Sequence, residues 1–367
     1  MSERDPVRFA VIGAGPEGFG HRAHIPGIQA APGVELIALA TAHDETARSA
    51  AEHWGVPRWY GSVESLLEDD DVDVVTVSVK PRAHYPLTMA VIESGKAVYC
   101  EWPLGLTTDE AIEMEKAAAK RGVHAGVGLQ GRWAPEIRHL RDLIGAGHIG
   151  KPLSFEVSQA LDRFEITEPR SWLHHEEQAS GALFVASAHV IDSVRFVLGD
   201  IEALSGLRAT LFVEDFYADT GNRFEWQASD TVRYVARLTG GQVGSLAVSN
   251  ITSPPLGFSI RIFGDEGQLA ASAPGYYQFT PMTLLGGPRG GEMAAIKVPE
   301  TLKKGMALPE GDAGTNVGRA LSAFGTSFVN GDRFRPDFVD AVGLHRILDA
   351  VIQSSDGAGW VTVGNDH

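Results

Sequence analysis

Six residues, Gly13-Ala14-Gly15-Pro16-Glu17-Gly18, have the types and spacing to cradle a pyrophosphate. They follow an apolar run, Val7–Ile12, and lead into a helical pattern that continues to about Ala30. In that setting the first glycine permits a tight turn. The second lets the backbone approach a phosphate, and the third lets helix and strand pack closely. A helix start adds unpaired N–H groups and a positive dipole end. Gly13, Gly15, Pro16, Glu17 and Gly18 are therefore assigned to a dinucleotide; a glycine-rich turn with no ligand is the plainer alternative.

Three other places carry groups able to do chemistry. His189 lies in an apolar helical stretch, and an imidazole titrates near neutral pH, so it could take or give a proton. A core histidine hydrogen-bonded on an amphipathic helix is the bland reading. Lys80 follows the third apolar run, at the edge where open α/β sheets bind ligands; a surface lysine before Pro81 fits equally well. His174-His175-Glu176-Glu177 brings metal-ligating types together, but neighbours on an extended chain point to opposite faces and no HExxH spacing is present. No metal is expected there; a polar substrate-side loop is. His21 and His24, three apart on the first helix, read as solvated or near the phosphates.

The elements that must position these groups alternate between strand and helix in the first third of the chain. Val7–Ile12, Val34–Ala40, Val72–Val79 and Ala97–Cys100 read as strands; Asp44–Trp54, His84–Ser94 and Thr107–Arg121 read as helices. Thr107 with Glu110 forms a capping-box pattern, and Gly122 marks the stop. Such alternation implies right-handed βαβ crossovers and a doubly wound parallel sheet. After about Gly150 the texture becomes α+β. Strands are expected at 151–160, at two places within 231–251, and at Ser259–Phe263 and Gln268–Ala271, with one helix at Gly181–Leu198. Residues 284–314 are rich in Gly and Pro and read as a long excursion or flap. Asn316–Asn330 and Val339–Ser354 read as helices that pack back on the first domain. The fold expected is an N-terminal α/β Rossmann domain, residues 1–130, and an α+β domain with an open-faced, mostly antiparallel sheet, residues 131–367.

Composition narrows the partners. The 367 residues include 31 Lys+Arg and 47 Asp+Glu, a net charge of −16. So acidic a chain offers no electrostatic footprint for nucleic acid or an anionic membrane. Cys100 is the single cysteine, which excludes an intramolecular disulfide and a cysteine-rich zinc site and fits a reducing cytoplasm. Met1 to Pro6 is short and charged, and no targeting address is expected there. No stretch is expected to span a membrane.

Residues 72–103, VDVVTVSVKPRAHYPLTMAVIESGKAVYCEWP, are similar to the Gfo/Idh/MocA dehydrogenase family almost throughout. So is Gly181-Ala182-Leu183 leading to His189 and Asp192, and the resemblance spans about residues 7 to 355. It implies a nicotinamide cofactor and, commonly, a sugar or polyol substrate. The family usually has Glu-Lys-Pro where this chain has Glu101-Trp102-Pro103, with the lysine at the reacting hydroxyl. It usually has Asp four residues before the histidine, where this chain has Val185. Residues i and i+4 share a helix face, so of three usual polar catalytic groups only His189 remains. Glu101-Trp102, Lys116-Ala117-Ala118-Ala119 with Arg121-Gly122-Val123, and Leu129-Gln130-Gly131-Arg132 resemble most the branch of the fungal galactose-regulon repressor, a nucleotide-binding regulator. That repressor lacks the proline corresponding to Pro103.

The expected site follows. His189, Lys80 and Trp102 are the catalytic candidates, although an indole can only stack and donate one N–H. Trp102–Pro103 is a plausible cis bond. The cofactor is NAD or NADP. The second strand ends at Thr41-Ala42-His43 without the usual carboxylate, which leans toward NADP, with Asp44 as a helix N-cap. Ser78, Val79, His84, Glu101 and Gln130 complete the cofactor rim. Trp102, Arg132, Trp172, His174, His175, Val185 and His189 face substrate; for Arg132 an ion pair is the alternative. An NAD(P)-dependent oxidoreductase of a sugar-like or cyclic hydroxy/keto compound is the first reading. A non-catalytic nucleotide and sugar sensor is the second. An uncovered apolar sheet face predicts a homodimer or homotetramer.

Overall fold

A computed structural model describes residues 5–364; residues 1–4, part of the N-terminal reading, lie outside the described residues. The chain forms two compact units, one of residues 5–133 with Lys304–Val342, the other of Ala134–Lys303 with residues 343–364.

The first unit holds six parallel strands: β1 (Val7–Ile12), β2 (Val34–Ala40), β3 (Arg58–Tyr60), β4 (Val74–Val77), β5 (Ala97–Glu101) and β6 (Ala125–Gly128). Their order, β3-β2-β1-β4-β5-β6, is the doubly wound arrangement, and it opens a crevice at the carboxyl ends of β1 and β4 where the winding reverses. Near-continuous Val, Ile and Ala runs suit strands buried on both faces. Strand β3 is only three residues long, too short to announce itself by periodicity. The helices are α1 (Ile25–Ala30), α2 (Asp44–Trp54), α3 (Val63–Leu67), α4 (His84–Ser94) and α5 (Thr108–Arg121). Thr107 caps α5 by accepting from Glu110 N, while the Glu110 carboxylate reaches back to Leu106 N at 2.7 Å. The first helix does not start at the glycine loop: a π-helical turn, Gly20–His24, intervenes before α1.

Helix α8 (Ala313–Asn330) belongs to this unit and crosses α1 closely. The approach depends on glycines: a Cβ on Gly27 would lie 2.8 Å from Gly314 O and 3.0 Å from Gly318 N. Phe324 of α8 then meets Tyr99 and Phe334 edge-on, at 5.6 and 5.1 Å, inside the buried core with Phe9 and Val11. Of the last helix, Phe338–Gln353, only residues 338–342 group with this unit, so the expected return of the whole segment is corrected.

The second unit contains α6 (Pro135–Gly145), α7 (Ala188–Leu198) and a nine-stranded mixed sheet. Its strands are β7 (Pro152–Ala160), β8 (Ile201–Ala209), β11 (Thr231–Leu238), β12 (Val243–Ser249), β13 (Gly257–Gly264), β14 (Gly267–Ala273), β15 (Thr283–Pro288), β16 (Ala294–Ala295) and β17 (Val361–Thr362); β9 (Glu214–Phe216) and β10 (Arg223–Glu225) form a separate hairpin. Only β7 and β12 pair parallel; the other neighbours are antiparallel. The sequence 284–314 is therefore no free flap throughout, because its start completes β15 on the sheet. One sheet face packs inward through Phe155, Val157, Leu246, Val248 and Ile260, all buried. The other face is not simply apolar: Glu156, Arg233, Arg237 and Arg261 stand on it with Val235, Val243 and Leu207.

One helical stretch, Glu176–Leu198, is long and apolar enough to cross a membrane by length and composition alone. Its most apolar window is 67% buried inside the protein, the pattern of a core helix.

Candidate functional site

The glycine loop begins where β1 ends. Gly13 N donates to Ala40 O at 3.1 Å and Ser78 N donates to Ile12 O at 3.0 Å, so the loop departs at the central strands' rim. Gly13 has φ +104°, and a Cβ there would lie 2.0 Å from Ser78 O; no other residue type fits. Gly15 differs. A Cβ on it meets nothing within 4 Å, so open space lies over the backbone where a phosphate would approach. Gly18 N closes the turn on Gly15 O at 2.9 Å. The tightest helix–strand approach falls at Gly20, whose Cβ would sit 2.5 Å from Gly13 O, against 3.2 Å for Gly18. Gly20 was not among the expected residues; a fourth glycine two past the motif was the available signal. Pro16 and Glu17 are exposed.

Along the rim of the sheet, the buried polar atoms without a hydrogen-bond partner include Ser78 Oγ, just past β4, and Gln130 Oε1, just past β6. An unpaired buried polar atom is costly, so both fit a bound polar ligand along the rim. Together with the open Gly15 face they fit a dinucleotide. Val79 is half-buried and Lys80 exposed at the same rim. At the end of β2, Thr41 Oγ1 donates to His43 O at 2.9 Å and lies 2.6 Å from Thr46 Oγ1. His43, not Asp44, is the N-cap of α2, and its exposed side chain makes no capping bond. The Asp44 carboxylate lies against Gly61, where a Cβ would come within 1.9 Å of Oδ1.

Several side-chain assignments change. His24 is fully buried, not solvated, with Nε2 2.7 Å from Glu101 Oε1; Glu101 also accepts from Trp102 N at 3.3 Å. Gly128 makes room for that carboxylate, since a Cβ there would lie 2.5 Å from it. Glu101 thus ties the turn before α1 to the end of β5, where Trp102 is buried and Trp102–Pro103 is cis. His21 Nδ1 accepts from Trp54 Nε1 at 3.1 Å. His84 is buried with one ring nitrogen 2.6 Å from Pro103 O and the other 3.1 Å from Val79 O, so both nitrogens point at backbone carbonyls, only one of which a neutral ring can donate to, and not at a cofactor. Burial lowers its pKa. Arg132 is buried 3.5 Å from Asp340, so the ion-pair alternative is the one realised.

In the second unit Gly181, φ +81°, lets the chain pass Ser229, and Ala182 N donates to Ser229 O at 2.6 Å. Ala182–Ser187 then winds as a π-helix before α7 begins at Ala188. Val185 and His189 are therefore not related by an ordinary α-helical step of four, because the winding changes between them. His189 is 8% exposed on α7. Tyr277 Oη donates to its carbonyl oxygen at 2.6 Å. Gln159 on β7 is fully buried with neither amide atom hydrogen-bonded, another residue the sequence did not single out.

The His174–Glu177 run does not gather. His174 Nε2 sits 3.0 Å from Tyr217 Oη and its ring stacks on Phe224 at 4.4 Å, so it is packed among aromatics rather than offered to a substrate. His175 Nδ1 donates to Gln227 Oε1 at 2.6 Å. Glu176 pairs with Arg208. Trp172 is half-buried in the turn before them. Among the described residues no group of three His, Cys, Asp or Glu side chains is placed to hold a metal ion.

A six-stranded 3-2-1-4-5-6 sheet with an open glycine cradle is the arrangement of a dinucleotide-binding domain. Residues 7–129 match the family model described as an oxidoreductase family with an NAD-binding Rossmann fold, and residues 137–270 match the GFO/IDH/MocA C-terminal domain. The dehydrogenase aclE of Aspergillus oryzae is 31% identical over 249 residues, 65% of this chain and 68% of that protein. Levoglucosan dehydrogenase of Pseudarthrobacter phenanthrenivorans is 25% identical over 351 residues, 89% of this chain and 88% of that one. Among solved structures, a levoglucosan dehydrogenase in complex with NADH and levoglucosan superposes with a TM-score of 0.86 at 24% identity, covering 98% of this chain and all of that one. A super-repressor mutant of Gal80p from Saccharomyces cerevisiae gives 0.86 at 20% identity, covering 98% of each chain. These two structures show a shared fold. The chain belongs to the Gfo/Idh/MocA family of NAD-binding oxidoreductases.

Proposed function

We propose that the protein oxidises or reduces a sugar-like or cyclic hydroxy/keto compound, with His189 as the proton-handling group. The observation that carries this reading is a buried imidazole at the family's histidine position, in a chain whose glycine cradle stands open at Gly15. The dehydrogenase names and the levoglucosan complex among its relatives support the substrate class.

When bound, the coenzyme supplies or accepts hydride at its nicotinamide ring. The backbone at Gly13, Gly15 and Gly18, flanked by Pro16 and Glu17, holds the pyrophosphate. Thr41 and His43 would face the adenosine ribose; with no carboxylate at Thr41 both NAD and NADP are to be assayed. Ser78, Val79 and Gln130 take the rest of the rim, and Glu101 acts through Trp102, which offers a flat indole for stacking. As substrate alcohol becomes ketone, the C–H electron pair leaves as hydride and the hydroxyl proton passes to an imidazole nitrogen of His189. Lys80 is the candidate to stand in for the family's lysine at the reacting hydroxyl. Trp172, His175 and Val185 are assigned to the substrate side.

The second reading is a nucleotide- and sugar-sensing regulator akin to the galactose repressor branch. It is favoured by Trp102 and Val185, which put nothing ionisable where the family usually places Lys and Asp. A panel of sugars, cyclic alcohols, imines and enones, followed by reduced-coenzyme absorbance with NAD and NADP, separates the two. Turnover that His189→Ala lowers at least about a hundredfold supports the enzyme. Tight coenzyme binding with no turnover on any compound supports the regulator and overturns the enzyme.

We also infer a homodimer or homotetramer built on the open sheet face that carries Val235, Val243 and Leu207, with the cytoplasm as the compartment. Cys100 is the single cysteine, so no disulfide needs an oxidising compartment. Light scattering at micromolar concentration is expected to give at least twice the chain mass; a monomer overturns the assembly.

A further inference from the structure

The proton-handling reading needs an imidazole held in one place, yet His189 comes directly after a change of helical winding. Tyr277, in the turn after β14, bears on this. Its side chain is completely buried, and its ring stacks on Phe258 of β13 with centroids 4.3 Å apart. Its hydroxyl is 2.6 Å from His189 O and 2.6 Å from Ser193 Oγ. A carbonyl only accepts and a phenol has one proton. The direction is therefore set: Ser193 Oγ–H donates to Tyr277 Oη, and Tyr277 donates to His189 O.

His189 and Ser193 lie one turn apart on α7, so the phenol grips both ends of the turn that carries the imidazole. Phenylalanine would fill the same space against Phe258. The hydroxyl adds a desolvation cost that only its two bonds offset, and what those bonds gain is a fixed height and rotation of α7 at His189.

We propose that Tyr277, assisted by Ser193, is a positioning residue for His189. The proposal rests on His189 being the proton-handling group. Tyr277→Phe keeps the ring stack and removes the grip. With the best substrate of the panel it is expected to lower kcat about tenfold or more, with KM for coenzyme and substrate changed less than about twofold. In the His189→Ala background the same substitution is expected to change kcat less than about twofold, since there is no longer an imidazole to place. Ser193→Ala gives a smaller loss in the same direction and serves if Tyr277→Phe folds poorly. The His189 ring Hε1 resonance, read by proton–carbon correlation without any substrate, is expected to shift or broaden in both variants. Wild-type kcat with an unmoved resonance overturns the proposal, and so does an equal fractional loss in both backgrounds, which would make Tyr277 merely structural. Full activity of His189→Ala overturns the underlying functional reading and this proposal with it. An inactive His189→Ala beside a wild-type Tyr277→Phe overturns this proposal alone.

Discussion

The two units hold their functional groups by different means. In the first, backbone geometry does most of the work: Gly13 turns where no side chain fits, Gly20 lets the helical turn touch the loop, and Gly128 leaves space for Glu101. In the second, side-chain hydrogen bonds take over. Tyr277 grips α7, the Asp230 carboxylate holds Leu211 N and Phe212 N at 2.8 Å each, and Glu176 meets Arg208. Steric exclusion tolerates little substitution but names its residue, glycine. A side-chain bond can be made by many residue types, so it names none. The lesson is that a loop shaped by absent side chains is a feature of sequence, whereas a region shaped by long-range bonds is a feature of packing.

The largest test of this contrast is Gly13→Ala. Positive φ and a 2.0 Å backbone clash act together, so destabilisation above roughly 4 kcal/mol and loss of coenzyme binding are expected in calorimetry. Near-native stability would break the claim that the loop is held by exclusion.

Acidification comes next and tests the buried histidines. His345 in the second unit is wholly buried, and burial pushes its pKa down to about 3; His84 in the first shifts the same way. An unfolded histidine titrates near 6.5. Above that both states are neutral and nothing is lost. Below it the unfolded chain takes up protons that the folded chain refuses, so stability falls as pH drops from about 6.5 toward 3. His345 alone accounts for a loss of about 1.4 kcal/mol between pH 7.5 and 5.5, and His84 adds to it. Urea unfolding at the two pH values reads this directly; equal midpoints would refute it.

The smallest effect on folding, and the sharpest on function, belongs to Gly15→Ala. Its Cβ meets nothing within 4 Å, so stability is expected within about 0.5 kcal/mol of the parent. Coenzyme affinity is expected to fall about tenfold or more, because the methyl occupies the phosphate's approach. Unchanged affinity by titration calorimetry would move the pyrophosphate elsewhere.

Much of this was legible in advance. The strands β1 and β2, helix α2 and the glycine loop stand where periodicity and turn chemistry place them. The capping residues of α5 are likewise local signals. What could not be read were relations between distant residues. His24 looks like a surface helix residue until Glu101, 77 positions away, is brought against it. His174 looks like a ligand until Tyr217 and Phe224 fold over it. The π-helical turn before His189 has no period of its own in a stretch apolar on every side.

The amino-acid sequence by itself determined the doubly wound sheet, the glycine turn after β1 and the family to which the chain belongs. Each of these depends on neighbouring residues and on steric rules acting within a few positions. Only the tertiary structure decided that the last helix joins the first unit through residues 338–342 alone, that Glu101 is held by a buried histidine, and that a tyrosine 88 positions away holds the carbonyl of His189. Those outcomes depend on which burial arrangement satisfies the most polar groups at once, and that is a property of the whole packed chain rather than of any segment.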